Sequence, residues 1–268
     1  MILGLRKVNE LAKAHNPDAV LSIQSTVDLH PDMFKDAKPE HVAFGCSPSL
    51  NAYNMSGLKI AGERVPFRSA GGHIHFGLHD EYKKDVVDYV KALDKILGVA
   101  CVSMFASYDN PARRSLYGLA GEYRLPPHGL EYRVLSNGWA SHPTIMYMVY
   151  ELARKAIAMQ QHGLMKHWDA TEEETIQCIN ECDVELARSI LKRNKTLFQD
   201  ILMSMCYRDS GLMKVTYNTF LKGMEVLIEP EKIDDNWGLT NPFQYAYKRI
   251  YYMQDHCANF AKVFKMKA

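Results

Sequence analysis

AGGHIHFG (70–77), GEYR (121–124) and GLEYR (129–133) decide how this chain is read. Each carries two chemically loaded residues spaced i, i+2: His73 and His75, Glu122 and Arg124, Glu131 and Arg133. In a β-strand, side chains at i and i+2 point to the same face. If these segments are strands, each delivers its pair to one side. Neighbouring strands would then line one surface with imidazoles, carboxylates and guanidiniums. Unpaired buried charge is costly, so such a surface is expected to receive a ligand. The turn Pro126-Pro127-His128-Gly129 joins the last two segments closely, which predicts antiparallel neighbours whose Glu–Arg pairs face the same way.

Around this core the pattern changes. Gly71 and Gly72 permit close backbone approach, and Arg68 and Ser69 sit within reach of the same surface. Residues 54–72 are rich in glycine and read as loop. Downstream, Val86, Tyr89, Val90, Leu93, Ile96 and Leu97 form the wide apolar face of a helix. Asp109-Asn110-Pro111 reads as a turn, and Arg113 to Gly121 as an ordered loop feeding the strand around Glu122. At the start, Leu5, Val8, Leu11 and Ala12 make an apolar stripe on a helix over 3–15, which Asn16-Pro17 ends. Leu21, Ile23 and Val27 suggest a strand, His30 to Pro39 a loop, and Gly45-Cys46-Ser47-Pro48 a turn before Leu50-Asn51-Ala52-Tyr53.

After Ser141-His142-Pro143 the texture is helical. Residues 144–161 place Ile145, Val149, Leu152, Ala153 and Ala156 inward. Thr171 and Glu174 make a capping box, and helices are expected at 195–206 and 242–264. The chain is therefore expected to be one domain over 1–268, with the sheet and its chemistry in 1–142 and helical cover in 143–268.

The bulk numbers exclude several classes. A formal net charge of +1 gives no case for nucleic acid. The longest apolar run, Ile96 to Ala106, is too short to span a bilayer. Six scattered cysteines without a CxxC pair read as reduced thiols in a cytoplasmic protein. No GxxxxGK[ST], GxGxxG or GxSxG is present, which disfavours a P-loop NTPase, a Rossmann enzyme and an α/β-hydrolase.

HxH on a strand is a frequent metal-ligand arrangement; two hydrogen-bonded structural histidines are the alternative. A hard dication would also need carboxylates, for which Glu122 and Glu131 are the candidates. An ExR pair alone is often a surface ion pair of little worth. Two such pairs, with Arg113 and Arg114 beside them, place four guanidiniums in a short span, and guanidiniums recognise phosphate and carboxylate bidentately. Carboxylates and histidine for a metal, with arginine for phosphate, suit phosphoryl transfer. Cys178 and Cys182, spaced i, i+4, could share a helix face and read as core packing, and Cys46 reads as structural. Trp139 either closes the site or packs.

The ordered set FRSAGGHIHFG (67–77), RRSLYGLAGEYR (113–124) and GLEYRVLSNGW (129–139) resembles the carboxylate–amine ligases of the glutamine synthetase and glutamate–cysteine ligase superfamily, and most of all the phage-type COOH–NH2 ligases of the type 2 amidoligase family. The resemblance implies an α+β fold: a curved antiparallel sheet of glutamine synthetase-like type, helices packed outside it and a helical C-terminal half. It also implies ATP with Mg²⁺ or Mn²⁺ on the sheet, and an amide or isopeptide bond formed through an acyl phosphate. By motif, His73, Glu131 and Glu122 match the metal-binding side. His75, Arg113, Arg114 and Arg133 match the nucleotide side, and Arg124, Arg133 and Glu122 the reacting centre. The partners implied are a small-molecule or peptide carboxylate and an amine, with neither nucleic acid nor membrane. Members of the superfamily usually open with strands carrying further metal-binding glutamates, whereas this chain opens in an amphipathic helix. The expectation is that those strands are missing. A metal-dependent hydrolase using HxH, and a nucleotide-binding module without turnover, are the competing classes.

Overall fold

The computed structural model describes residues 2–19, 21–36, 38, 49–54, 67–105, 109–114, 118–141, 143–208, 217–218 and 220–221. The turn containing Cys46, most of the 54–72 loop and the helix expected at 242–264 lie outside them. The fold is α+β, with antiparallel sheets. The chain forms two compact units. One comprises the described residues of Met1–Ile23, Trp139–Lys155 and Leu191–Ala268; the other is Gln24–Gly138 and Ala156–Ile190.

Among the described residues, the second unit holds both sheets. β1 (Thr26–Asp28) pairs antiparallel with β3 (Phe67–Ser69). The strand expected from Leu21 onward thus begins only at Thr26, and 67–69, read as loop, is a strand. Arg68 pairs with Val27 in this ribbon rather than joining the larger sheet. That larger sheet has four strands in the order β2 (Leu50–Asn51), β5 (Glu122–Arg124), β6 (Gly129–Tyr132), β4 (Ile74–Gly77), all antiparallel. The β5–β6 hairpin turns through the two prolines, and Gly129 N–H closes it on Pro126 O at 2.9 Å. Gly129 adopts φ 144°, and a Cβ there would come within 2.4 Å of Phe76 O, so the turn residue next to β4 has to be glycine.

One face of this sheet is apolar and aromatic: Leu130 and Tyr132 alternate on β6, with Tyr123 across on β5 and Ile74 and Phe76 across on β4. Behind it in the same unit runs the helix expected from the sequence. It starts as α2 (Val86–Leu93), passes through a π turn (Asp94–Gly98) and continues as α3 (Val99–Phe105). Val90, Leu93, Ile96 and Leu97 are fully buried, each contributing roughly 1.5–3 kcal/mol of burial free energy. At Gly98 a Cβ would stand 2.7 Å from Ile179 Cδ1 and 3.1 Å from the Tyr132 hydroxyl, so the helix presses close here.

A short turn of helix, α4 (Pro111–Arg114), starts where Asn110 Oδ1 accepts from Ala112 N–H at 2.9 Å. It replaces the first part of the loop expected over 113–121. The helices that follow are α5 (Pro143–Gln161), α6 (Glu172–Asn180), α7 (Val184–Arg193) and α8 (Lys195–Arg208). The capping box of α6 forms as the sequence reads: Thr171 Oγ1 accepts from Glu174 N–H at 3.1 Å, and Glu174 Oε2 accepts from Thr171 N–H at 2.9 Å. In α5 the five residues expected inward are all buried. In the other unit, α1 (Ile2–His15) forms as expected, but Val8 and Leu11 of its stripe are 55% and 60% exposed. Among the described residues no helix is long and apolar enough to cross a membrane.

Candidate active site

Residues directly opposite in an antiparallel ladder share a face, and alternate residues along a strand share it too. The register pairs Asn51 with Glu122, Arg124 with Glu131, and Glu131 with His75. Arg133 continues β6, its N–H donating to Glu122 O at 3.0 Å, and His73 immediately precedes β4. The backbone thereby brings His73, His75, Glu122, Arg124, Glu131 and Arg133 to the face opposite the aromatic one, and adds Asn51. The i, i+2 spacing of the sequence becomes a shared surface because three of these strands pair in register.

Glu131 is the hub. Its carboxylate accepts from Arg124 Nε at 2.9 Å and Nη2 at 2.7 Å, a two-pronged pairing. Its Oε1 also lies 2.9 Å from His73 Nδ1 and 3.5 Å from Arg133 Nε. Burial raises the Glu131 pKa, but the hydrogen bonds and charge of Arg124, with His73 and Arg133, outweigh it and hold the carboxyl below its ordinary value. His73 moves the other way: burial, then the Arg133 charge, lower it to about 4 against the pull of Glu131. At neutral pH the imidazole is therefore uncharged, with its proton on the Nδ1 that faces the carboxylate. Metal-ligating histidines commonly carry such a carboxylate partner. In that arrangement Glu131 orients the imidazole.

Glu122 is buried beside this group. Its Oε2 accepts from Gly118 N–H at 2.9 Å, yet burial dominates and raises its pKa. Arg133 is fully buried and donates from Nη1 to Ser49 Oγ at 2.7 Å. Exposure grows toward one end of the face: Glu131 and Arg133 are buried, Arg124 is half-buried and His75 is exposed. His75 Nδ1 lies 3.0 Å from His128 Nε2 in the hairpin turn.

Arg113 and Arg114, expected on the nucleotide side, are turned into the protein. Arg113 Nη2 donates to Val134 O at 2.9 Å and to Leu135 O. Arg114 Nη1 donates to Val134 O at 2.7 Å and its Nη2 to Asp109 Oδ2 at 2.6 Å. The two guanidiniums pin the chain just after Arg133. Gly118 (φ 87°) allows this, because a Cβ there would fall 2.5 Å from Arg113 Nη1.

Sequence reading missed Asp94. It is fully buried behind the sheet, accepting from Tyr132 Oη at 2.7 Å and from Gly121 N–H at 2.6 Å. Burial pushes its carboxyl up to about 7. It ties together the residue before Glu122 and the residue between Glu131 and Arg133. A signal was present: position 94 falls inside the apolar face that 90, 93 and 97 define. His128 was read only as a turn residue. Asn51 was noted only beside a turn; its Nδ2 donates to Ala120 O at 2.7 Å and holds the edge strand to the β5 entry. Cys178 is buried in α6, consistent with packing, and its thiol is pushed up to about 12 by burial.

Among the described residues no group of three or more His, Cys, Asp or Glu side chains is placed to hold a metal ion, and the Glu131 carboxylate is engaged by Arg124. Magnesium commonly takes one or two carboxylates, with water and substrate phosphates completing its shell, and Glu131 and Glu122 are the carboxylates on this face. A phosphate or carboxylate also fits, since Arg124 and His75 stand at the accessible end of the face.

The face and its elements define an α+β protein with a charged antiparallel sheet. The family model described as phage phiEco32-like COOH.NH2 ligase-type 2 matches residues 52–239, and the chain belongs to this family of carboxylate–amine ligases. No curated protein and no solved structure matches it.

Proposed function

We propose that the protein is an ATP-dependent carbon–nitrogen ligase that joins a carboxylate to an amine through an acyl phosphate, on a sheet of the glutamine synthetase-like type. One observation supports this above the others. The register gathers two carboxylates, two guanidiniums and two imidazoles on one face of a chain that belongs to a COOH–NH2 ligase family. In the reaction, an oxygen of the substrate carboxylate takes the terminal phosphoryl group of ATP, and ADP leaves. The amine then attacks the acyl carbon, the C–O bond to phosphate breaks, and an amide forms.

The chain's own groups fit these steps. Arg124, at the accessible end, exchanges its contact with Glu131 for the phosphoryl oxygens, and its fork matches two of them. Arg133 adds fixed charge from beneath, stabilising negative charge that develops in transfer. Neutral His73 stays beside Glu131 without adding competing charge. Glu122, its pKa raised by burial, sits beside Arg133 as the second carboxyl of the face. A magnesium ion arriving with ATP would meet Glu131 and Glu122 on this face and would offset negative charge on the phosphates. The substrates are small-molecule or peptide carboxylates and amines, and the setting is the cytoplasm.

The test is ADP release from Mg-ATP over a panel of carboxylates and amines, with Arg124→Ala beside the wild type. Release that requires both co-substrates and is lost in the variant is expected. ATP binding without ADP release across the panel would sink the ligase reading and leave a nucleotide-binding module.

A further inference from the structure

We propose that Asp94 is a positioning residue for phosphoryl transfer, holding Glu122, Glu131 and Arg133 at their working separations from behind the sheet. The inference rests on the ligase reading above and gives a task to a buried carboxylate that reading leaves unused.

The placement is set by the strands. Glu131 and Arg133 flank Tyr132, so alternation sends their side chains to the site face and that of Tyr132 to the opposite one. Tyr132 Oη donates to Asp94 Oδ1 at 2.7 Å. Gly121 immediately precedes Glu122, and its N–H donates to Asp94 Oδ2 at 2.6 Å. One carboxylate thus grips both strands that carry the acidic pair, with one oxygen for each. The Tyr53 hydroxyl faces the same carboxylate from beyond β2. Gly121 has φ 80°, and a Cβ there would fall 2.7 Å from Tyr53 Cδ2 and 3.0 Å from Asn51 Oδ1, so the position admits no side chain. The frame closes between the strands, where Arg133 N–H donates to Glu122 O at 3.0 Å.

The helix behind the sheet is shaped to meet these donors. Asp94 opens the π turn and Gly98 ends it. A Cβ at Gly98 would stand 3.1 Å from the Tyr132 hydroxyl, which therefore sits between the Asp94 carboxylate and a position kept free of side chain. Single π turns recur at functional sites. A carboxylate with no exposure is costly to bury, and an apolar residue would pack this helix face as Val90, Leu93 and Leu97 do. An apolar residue does not hold Tyr132 and Gly121 to fixed points. Misplacing reacting groups by about 1 Å costs on the order of a hundred-fold in rate, so two short bonds behind the sheet bear on chemistry at its front. Asp94 itself offers no surface to a ligand, so its loss falls on transfer rather than on affinity for ATP.

The experiment follows ADP release from Mg-ATP by the full chain, with a carboxylate and an amine that the wild type joins. Asp94→Asn keeps the size but offers one acceptor where two are needed. It is expected to lower kcat about ten- to a hundred-fold and to leave KM for ATP within about two-fold. Tyr132→Phe, which removes only the hydroxyl, is expected to lower kcat in the same way, and the double variant to be no worse than Asp94→Asn alone, because the two act through one bond. Ile96→Ala, a cavity in the same π turn, is the control: it is expected to lower the melting temperature and keep kcat within about two-fold. In amide NMR the Gly121 proton, donated to a carboxylate, is expected downfield in the wild type and to move upfield in Asp94→Asn. Unchanged kcat in both Asp94→Asn and Tyr132→Phe, a change confined to KM for ATP, or a kcat loss in Ile96→Ala that matches theirs would overturn the proposal. A wild type that releases no ADP with any pair overturns the ligase reading, and the positioning role with it. That failure is distinguishable from an active wild type indifferent to Asp94.

Discussion

Replacing Gly118 by alanine tests how firmly the segment after Arg133 is held. The new Cβ would lie 2.5 Å from Arg113 Nη1, 2.7 Å from Nη2 and 2.8 Å from Cζ. Alanine at φ 87° costs about 1–2 kcal/mol in backbone strain. To clear the methyl, the guanidinium must retreat from the carbonyls of Val134 and Leu135. A hydrogen bond from a charged donor is worth about 1.5–3 kcal/mol. Loss of one such bond with the strain gives about 2.5–5 kcal/mol, against a whole-domain stability of about 5–15 kcal/mol. Gly163→Ala is the control, with φ 66° and nothing within 4 Å, so it carries the backbone cost alone. Urea unfolding of the two variants should place Gly118→Ala about 1.5–3 kcal/mol below Gly163→Ala. Equal losses would refute the clamp of Arg113 on the 134–135 backbone.

Three further outcomes follow from the geometry. Burial raises Asp94 to about 7, so the folded state keeps a proton the unfolded chain releases. Stability from this group is present at acid pH and falls as pH rises from about 4 to about 7; Asp94→Asn should remove that slope in thermal unfolding followed against pH. His73, lowered to about 4 from 6.5, acts in the opposite sense: its contribution is present above 6.5 and is lost as pH falls to about 4, a slope that His73→Gln should abolish. Arg124→Lys keeps the charge but not the two-pronged contact with Glu131, and is expected to lower product formation about ten- to a hundred-fold with little change in melting temperature.

The site face was legible in the sequence because strand alternation is local: two residues apart means one side, whatever the rest of the chain does. The Pro-Pro-His-Gly turn then fixed which strands neighbour each other. The capping box at Thr171 was legible for the same reason, since its partners are three residues apart. Long-range facts were not. The pairing of 26–28 with 67–69 joins segments of three residues that local pattern cannot match. Arginine residue type alone does not say whether a guanidinium faces a ligand or a carbonyl, and Arg113 and Arg114 meet carbonyls of the segment after β6. The bond between His75 and His128 depends on where the turn docks against β4. Asp94 was hidden because a carboxylate within an apolar helix face makes sense only once Tyr132 and Gly121 arrive from the sheet.

The buried placement of Arg113 has a consequence for how the face responds to its surroundings. Its guanidinium has no exposure, yet its charge still contributes to lowering the basicity of His73. Mobile ions screen through solvent, with a Debye length of about 8 Å at physiological salt, and they reach such a charge poorly. The influence of Arg113 and Arg133 on His73 is thus a property of the fold, and the ionic medium alters it little. Arg124, at the accessible end, is the guanidinium on this face that salt reaches.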